Sequence, residues 1–219
     1  MTEWYEKVSE RTATFRQPHA DVPLTESDLD PDPVKLFAKW LEEALDAHPG
    51  WPNAMTLATA DAEGRPSART VLLKGVDEDG FRFFTNYESR KARDLAENPR
   101  GALVFYWPAL ERQVRVEGPV EKLPRAESEE YFDTRPPGSR FAAWASPQSR
   151  VVSGREMLEE GLDEASELFG EDVPMPPFWG GYRLAPETFE FWKSRRNRLH
   201  DRFQYRRAAG AWIIERLAP

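Results

Sequence analysis

The sequence predicts a mainly β protein of the α+β class, an antiparallel barrel with flanking helices. Three observations carry this reading. The apolar period changes from 3.6 to 2 just past residue 50, many short strand-like segments follow, and the chain shows no repeated strand–helix–strand alternation. GxGxxG and GxxxxGK[ST] phosphate loops are also absent, so neither a dinucleotide fold nor an NTPase is indicated. With 219 residues, 40% of them apolar and 12% aromatic, such a chain can bury roughly 70–75% of its unfolded surface around one core.

The first 30 residues have no clear period and end in DLDPDP, so residues 1–32 read as an arm and candidate lid, and 33–219 as the domain. From Pro33, VKLFAKWLEEALDAH sets Val34, Phe37, Trp40, Leu41 and Leu45 at helical spacing, and Pro49 with Gly50 stops the helix. His48 falls at its end, where an imidazolium suits the helix dipole. AMTLATAD, SARTVLLKGV, GFRFFTNY, GALVFYW and ERQVRVEGPVEKL then read as strands, interrupted by a helical insert, SRKARDLAENP. After Pro124 a helix reaches Tyr131, Pro136 and Pro137 break it, and a second short helix starts near Ser139. GREMLEEGLDEASELFG is a further helix closed by Gly170, whereas VPMPPFWGG is too rich in proline to be regular. TFEFW, RFQYRR and AWIIERL end the chain as strands.

Zero cysteines remove disulfides, thiolate metal sites and thiol catalysis together. The histidines are His19, His48 and His200 alone, so no metal site is expected. Apolar runs such as ALVFYW fall far short of the roughly 20 residues of a membrane helix. The acidic, polar start MTEWYEKVSER is unlike a secretory signal, which leads us to expect a cytoplasmic protein. A net charge of −8 argues against nucleic acid as a partner, yet the sum hides an asymmetry. Met1 to Glu63 hold 5 basic and 13 acidic residues, and the remainder holds 25 of each. Within that remainder, KSRRNRLHDRFQYRR, Lys193 to Arg207, sets seven basic residues against Asp201. The run reads either as a site for a small anion or as a solvated charged turn.

Four clusters could carry chemistry. Ser89 is a good N-cap, which puts Arg90 and Lys91 in the first helical turn, where cations are misplaced unless an anion sits against them. Arg69 and Lys74, five apart, face opposite sides of a regular strand and could serve two anionic groups unless a bulge intervenes. Tyr131 and Arg135 share a helical face, and Ser139 is a candidate cap of the next helix; together they could hold a phosphate or form a solvated helix end. In RLHDRF an extended chain would set Arg198, His200 and Arg202 on one face, unless Asp201 simply pairs with a neighbouring arginine.

RTVLLK, FFTNYESRKA, ERQVRVEG, YFDTRPPGSRFAAWASPQS, FWGGYRL, FEFW, RLHDRF and the terminal ERLAP, in this order from about Asp32 to Pro219, resemble the pyridoxamine 5′-phosphate oxidase family. The resemblance implies an FMN-binding split β-barrel of Greek-key type with flanking helices, and a homodimer with two FMN sites at the subunit interface. By the same resemblance, Arg69, Thr70, Val71, Leu72, Leu73 and Lys74 contact FMN, Arg69 at its phosphate. Phe84 and Thr85 line the flavin, Arg90 and Lys91 hold its phosphate, and Gln113, Gln148, Ser149, Trp192 and Arg202 complete the site, several from the partner subunit. Lys74, Tyr131, Arg135 and Ser139 match a substrate-phosphate clamp. Arg198, Leu199 and His200 match residues over the substrate, with Arg198 and His200 as catalytic candidates. The arm departs from the pattern, since Arg16 and His19 stand where members often carry an Arg and, three residues later, a Tyr.

The implied activity is oxidation of pyridoxine or pyridoxamine 5′-phosphate to pyridoxal 5′-phosphate, with O2 as acceptor and H2O2 as product. A phenazine-type FMN oxidase of an aromatic intermediate would be expected to lose the clamp. A non-catalytic FMN or pyridoxal-phosphate binding module that stores or senses its ligand is a rival from another class, against which the intact RLHDR speaks. An NAD(P)H-dependent flavin reductase on the same barrel is a third alternative.

Overall fold

The computed structural model describes residues 2–14, 20–47 and 50–219, so Arg16, His19 and His48 lie outside the described residues. Thr2–Thr14 forms a helix, α1, whose described side chains are all exposed. The 20–30 stretch behaves differently from the free arm that its lack of period suggested. Leu24 is buried in the core, its N–H donates to Asp201 Oδ2 at 3.1 Å, and the Tyr205 hydroxyl donates to Asp30 O at 2.9 Å. The reason is charge and packing rather than periodicity. Asp21 accepts from Arg195 Nε at 2.8 Å, and Glu26 accepts from Arg216 Nε at 3.0 Å, so acids of the first part neutralise bases of the last.

Helix α2 (Pro33–Ala47) buries Leu36, Phe37, Trp40 and Ala44. The Phe37 ring meets Phe81 and Phe105 edge-on, each at 4.8 Å between centroids, and Trp40 meets Phe191 at 5.2 Å. This helix therefore plugs the interior of the sheet that follows.

The sheet is antiparallel throughout, built from β1 (Ala54–Ala60), β2 (Pro66–Leu72), β3 (Gly75–Asp77), β4 (Gly80–Asn86), β5 (Arg100–Trp107), β6 (Arg112–Lys122), β7 (Trp179–Leu184), β8 (Thr188–Lys193), β9 (Asp201–Ala208) and β10 (Ala211–Arg216). One path runs β10-β9-β8-β6-β5-β1-β2, and β3, β4 and β7 form a second row that rejoins β6. Two stretches bend from one row to the other. The end of β6, Val120 to Lys122, pairs with β7. At the other corner Leu73 N–H bonds back to Asn53 O, while Lys74 N–H bonds forward to Arg82 O. No ladder joins β2 to β4, so the sheet curls into a split barrel, as the family resemblance implies.

Helices α3 (Arg90–Glu97), α4 (Arg125–Asp133), α5 (Pro137–Ala145) and α6 (Glu156–Phe169) flank the barrel. Two local expectations are corrected. Ser139 is not a cap: α5 starts at Pro137 behind Pro136, because proline's fixed φ suits a first turn, and Ser139 lies inside that turn. The supposed loop VPMPPFWGG already becomes strand β7 at Trp179. Its glycines hid the strand, yet they are what it needs, since a Cβ at Gly180 would run into the Tyr87 hydroxyl. Among the described residues no helix is long and apolar enough to cross a membrane, and no group of three or more His, Asp or Glu could hold a metal ion.

Candidate active site

The corner between β2 and β3 opens onto a cavity of about 490 Å³, lined by Arg69, Thr70, Val71, Leu72 and Lys74. A regular strand would have turned Arg69 and Lys74 to opposite faces. The break at Leu73 and Lys74 resets the alternation, and both cations reach the same cavity. Leu73 itself turns into the core, 5% exposed. Arg69 is tied down behind the cavity: Nη1 donates to Leu57 O at 3.1 Å and to Thr59 Oγ1 at 2.7 Å, and Nη2 donates to Ser67 Oγ at 2.6 Å.

On the adjoining wall α3 presents its N-terminus. Ser89 occupies the N-cap position, but its hydroxyl makes no capping bond and instead accepts from Lys91 Nζ at 3.3 Å. That ammonium also donates to Thr85 Oγ1 at 2.9 Å and Gln148 Oε1 at 2.7 Å. Burial, and then the positive charge of Arg69, push the Lys91 pKa down to about 8. Arg90, in the same first turn, is exposed, and its charge adds to the burial that lowers the Arg69 pKa. A buried lysine held only by neutral acceptors beside two arginines offers the charge and donors that an anion would use.

The opposite wall comes from α4, α5 and β7. Phe84, Tyr131 and Trp179 form a nearly parallel stack, with centroids 3.9 Å apart for Phe84 and Tyr131 and 5.6 Å for Phe84 and Trp179. Arg135 lies past the end of α4 with its guanidinium 4.7 Å from the Trp179 ring, and Lys74 Nζ lies 5.8 Å from the Tyr131 ring. Arg135 Nη1 is buried with no partner, and burial lowers the Arg135 pKa. Ser139 and Pro136 finish this wall. The cavity lining therefore contains Arg69, Lys74, Lys91 and Arg135 and no carboxylate. Trp179 and Pro136 went unnoticed as site residues in the sequence; the FWGG quartet that ends the proline-rich stretch was the available signal for the first.

The remaining candidates stand apart from this cavity within the chain. Gln113, Trp192 and Arg202 lie side by side across β6, β8 and β9. Arg202 Nε donates to Glu190 Oε1 at 2.8 Å, and that bond raises the Arg202 pKa. The His200 ring sits 4.6 Å from Trp192, and its Nδ1 accepts the Arg195 N–H at 3.1 Å. Asn197 and Arg198 adopt positive φ, 56° and 61°, so the chain turns here and becomes extended only at Asp201. The alternation expected for RLHDRF fails for that reason: Arg198 and Leu199 are exposed on a turn, and Asp201 accepts from Arg195 and Arg216, each at 2.8 Å. Ser149 is exposed beside Gln148 with φ of 70°.

Comparison with known proteins adds a lineage to this geometry. Residues 41–168 match the family model described as pyridoxamine 5′-phosphate oxidase, and residues 179–219 match that of the pyridoxine 5′-phosphate oxidase C-terminal dimerisation region. The pyridoxine/pyridoxamine 5′-phosphate oxidase of Cupriavidus taiwanensis is 58% identical over 208 residues, covering 94% of this chain and 98% of the relative. Crystalline PhzG from Burkholderia lata 383, in complex with tetrahydrophenazine-1-carboxylic acid, is 33% identical with a TM-score of 0.86, covering 92% of this chain and all of that one. A pyridoxamine 5′-phosphate oxidase-related, FMN binding protein from Nostoc punctiforme shares the fold, with a TM-score of 0.70 at 19% identity over 87% of this chain and 100% of that one.

Proposed function

The chain belongs to the pyridoxamine 5′-phosphate oxidase family, and from that premise we propose that it is an FMN-dependent oxidase converting pyridoxine or pyridoxamine 5′-phosphate to pyridoxal 5′-phosphate. The observation that carries the reading is one cavity lined by four cations and no carboxylate; in this reading Arg69 with Lys91 would serve one anion and Lys74 with Arg135 another. The residues fit FMN on chemical grounds. Lys91 is buried against neutral acceptors at a helix N-terminus, which a phosphate would complete, and Arg135 Nη1 is a buried donor that a second phosphate would satisfy.

In this reading Arg69, Arg90 and Lys91 hold the FMN phosphate. The backbone from Thr70 to Leu73, with Phe84, Thr85, Gln148 and Ser149, lies along the flavin. Gln113, Trp192 and Arg202 complete that site from a second copy of the chain, in keeping with the dimerisation-region match that spans Trp192 to Arg202. FMN, when bound, would accept a hydride from C4′ while the attached hydroxyl or amino group gives up a proton, O2 would take the two electrons and two protons as H2O2, and for the amine water would release the aldehyde and ammonia. The clamp of Lys74, Tyr131, Arg135 and Ser139 binds the substrate phosphate, so rotational freedom is lost on binding rather than at the reacting step. Arg198, Leu199 and His200, which stand apart from the cavity of their own chain, would reach the reacting end of the substrate from the second copy, Arg198 and His200 orienting it. Because the Arg195 N–H donates to His200 Nδ1, that nitrogen is the acceptor and Nε2 carries the ring proton. We assign residues 1–32 as an arm, of which the 20–30 stretch packs on the barrel, and the protein to the cytoplasm.

The test is oxygen consumption by the FMN-loaded protein with each phosphorylated vitamer, followed together with pyridoxal phosphate absorbance. Stoichiometric rise of both signals is expected. Tight FMN binding without turnover on either vitamer would favour a phenazine-type oxidase or a binding module, although the clamp residues all line the cavity.

A further inference from the structure

Asp94 is the anomaly of the phosphate-facing wall. It is a carboxylate only 6% exposed, on the same helix as Arg90 and Lys91, in a region that is to attract an anion. A buried acid there repels a phosphate and is costly to desolvate, and it makes no short ion pair to offset that: Arg69 Nη2, its nearest cationic nitrogen, is 3.6 Å from Oδ2. Its close contact is indirect. Thr59 Oγ1 donates to Asp94 Oδ2 at 2.6 Å, and the same hydroxyl oxygen accepts from Arg69 Nη1 at 2.7 Å. Thr59 is itself 3% exposed, so the relay from α3 through β1 to β2 is shielded from water. It commits Thr59's one proton to Asp94, which leaves the oxygen lone pairs to face Arg69.

We infer that Asp94, acting through Thr59, is a positioning residue that fixes the Arg69 guanidinium relative to the α3 N-terminus, and so makes the chain select a phosphorylated flavin over an unphosphorylated one. This rests on the FMN reading above. The relay, with the bonds from Arg69 to Leu57 O and Ser67 Oγ, holds both terminal nitrogens from behind. No protein acceptor is bonded to Nε among the described residues, so the guanidinium keeps a donor for a ligand.

Charge and positioning predict opposite signs, which makes the inference testable. If Asp94 acted only as a nearby negative charge, removing it would tighten FMN binding. The experiment titrates the full-length chain, freed of flavin, with FMN and with riboflavin by flavin fluorescence, for wild type, Asp94→Ala, Thr59→Val and Thr59→Ser. The expected result is a Kd for FMN raised tenfold or more in Asp94→Ala and Thr59→Val, with riboflavin changed less than twofold, and recovery in Thr59→Ser. Tighter FMN binding in Asp94→Ala, or equal weakening of both flavins, would overturn the inference, the second by assigning Asp94 to general folding. Should Asp94→Ala fail to fold, Thr59→Val decides, because it breaks the relay and keeps the charge. A wild type that binds FMN no better than riboflavin would instead overturn the phosphate site itself, whatever the variants did.

Discussion

Raising the pH from 7 to 9 should weaken FMN binding about tenfold, and the cause is Lys91. Its ammonium is buried against Thr85 and Gln148, and desolvation together with Arg69 brings its pKa to about 8. A phosphate dianion at contact distance would return that pKa toward the ordinary 10.5. At pH 7 roughly nine in ten flavin-free molecules already carry the proton, whereas at pH 9 roughly one in eleven does, so binding must then take a proton from solvent. The loss is about 1.4 kcal/mol, a factor of ten in Kd. For folding the sign reverses. The folded pKa lies below the unfolded one, so the flavin-free protein gains stability as pH climbs from about 8 toward 10.5, and the flavin-loaded protein gains much less. Fluorescence titrations at pH 7, 8 and 9, with melting curves of both forms, measure the two slopes. A Kd that stays flat, or a slope that survives unchanged in Lys91→Met, would refute the assignment of this titration to Lys91.

Arg135→Ala should raise KM for either phosphorylated vitamer by about 10- to 150-fold with kcat changed far less, since a charged hydrogen bond contributes about 1.5–3 kcal/mol; a KM unchanged in steady-state assays would remove Arg135 from the clamp. Arg198→Ala should instead lower kcat while the Kd for FMN, read by fluorescence, stays within twofold, and a variant that retained full turnover would contradict the role given to Arg198. Phe37→Ala should cost about 3–5 kcal/mol, because Phe37 is fully buried against Phe81 and Phe105. For a chain of this length that lowers the melting temperature by about 10 °C; a shift under 2 °C would mean the barrel interior refills without it.

What could be read from the sequence divides by physical origin. Strands announce themselves through alternation or short apolar runs, and β1, β2 and β4 to β6 were legible for that reason, β2 through exposed and half-buried positions in turn. Trp179–Leu184 was not, because its pairing with β4 depends on missing side chains: Gly180 and Gly181 sit opposite Thr85 and Phe84. The first-turn position of Arg90 and Lys91 followed from Ser89 alone, since capping is a local property. The sharing of one cavity by Arg69 and Lys74 did not, because a parity rule cannot see a strand that changes partners at Leu73. Asp94 carried a faint signal, an acid one turn after two first-turn cations, but its link to Thr59 spans 35 residues and is visible only in three dimensions.

The basic run near the C-terminus admitted two readings, an anion site or a solvated turn, and the structure separates its members by what neutralises them. Arg195 is held by Asp21 and Asp201, Arg196 by Asp21, Arg202 by Glu190 and Arg206 by Glu215. Lys193 is buried and spends its ammonium on Leu110 O. Asp21, Asp201, Glu190 and Glu215 therefore offset part of the local positive charge, one of them from the acid-rich first segment. Arg207 and Arg198 join no ion pair among the described residues, but the Arg207 guanidinium lies 4.9 Å from the Trp212 ring centroid, whereas Arg198 is exposed on a left-handed turn next to His200. Asparagine adopts the left-handed region readily, so Asn197 carries little strain, whereas the positive φ of Arg198 costs on the order of 1–3 kcal/mol. That strain, at an exposed guanidinium beside the His200 imidazole, is the observation within this segment that motivates the proposed role of Arg198.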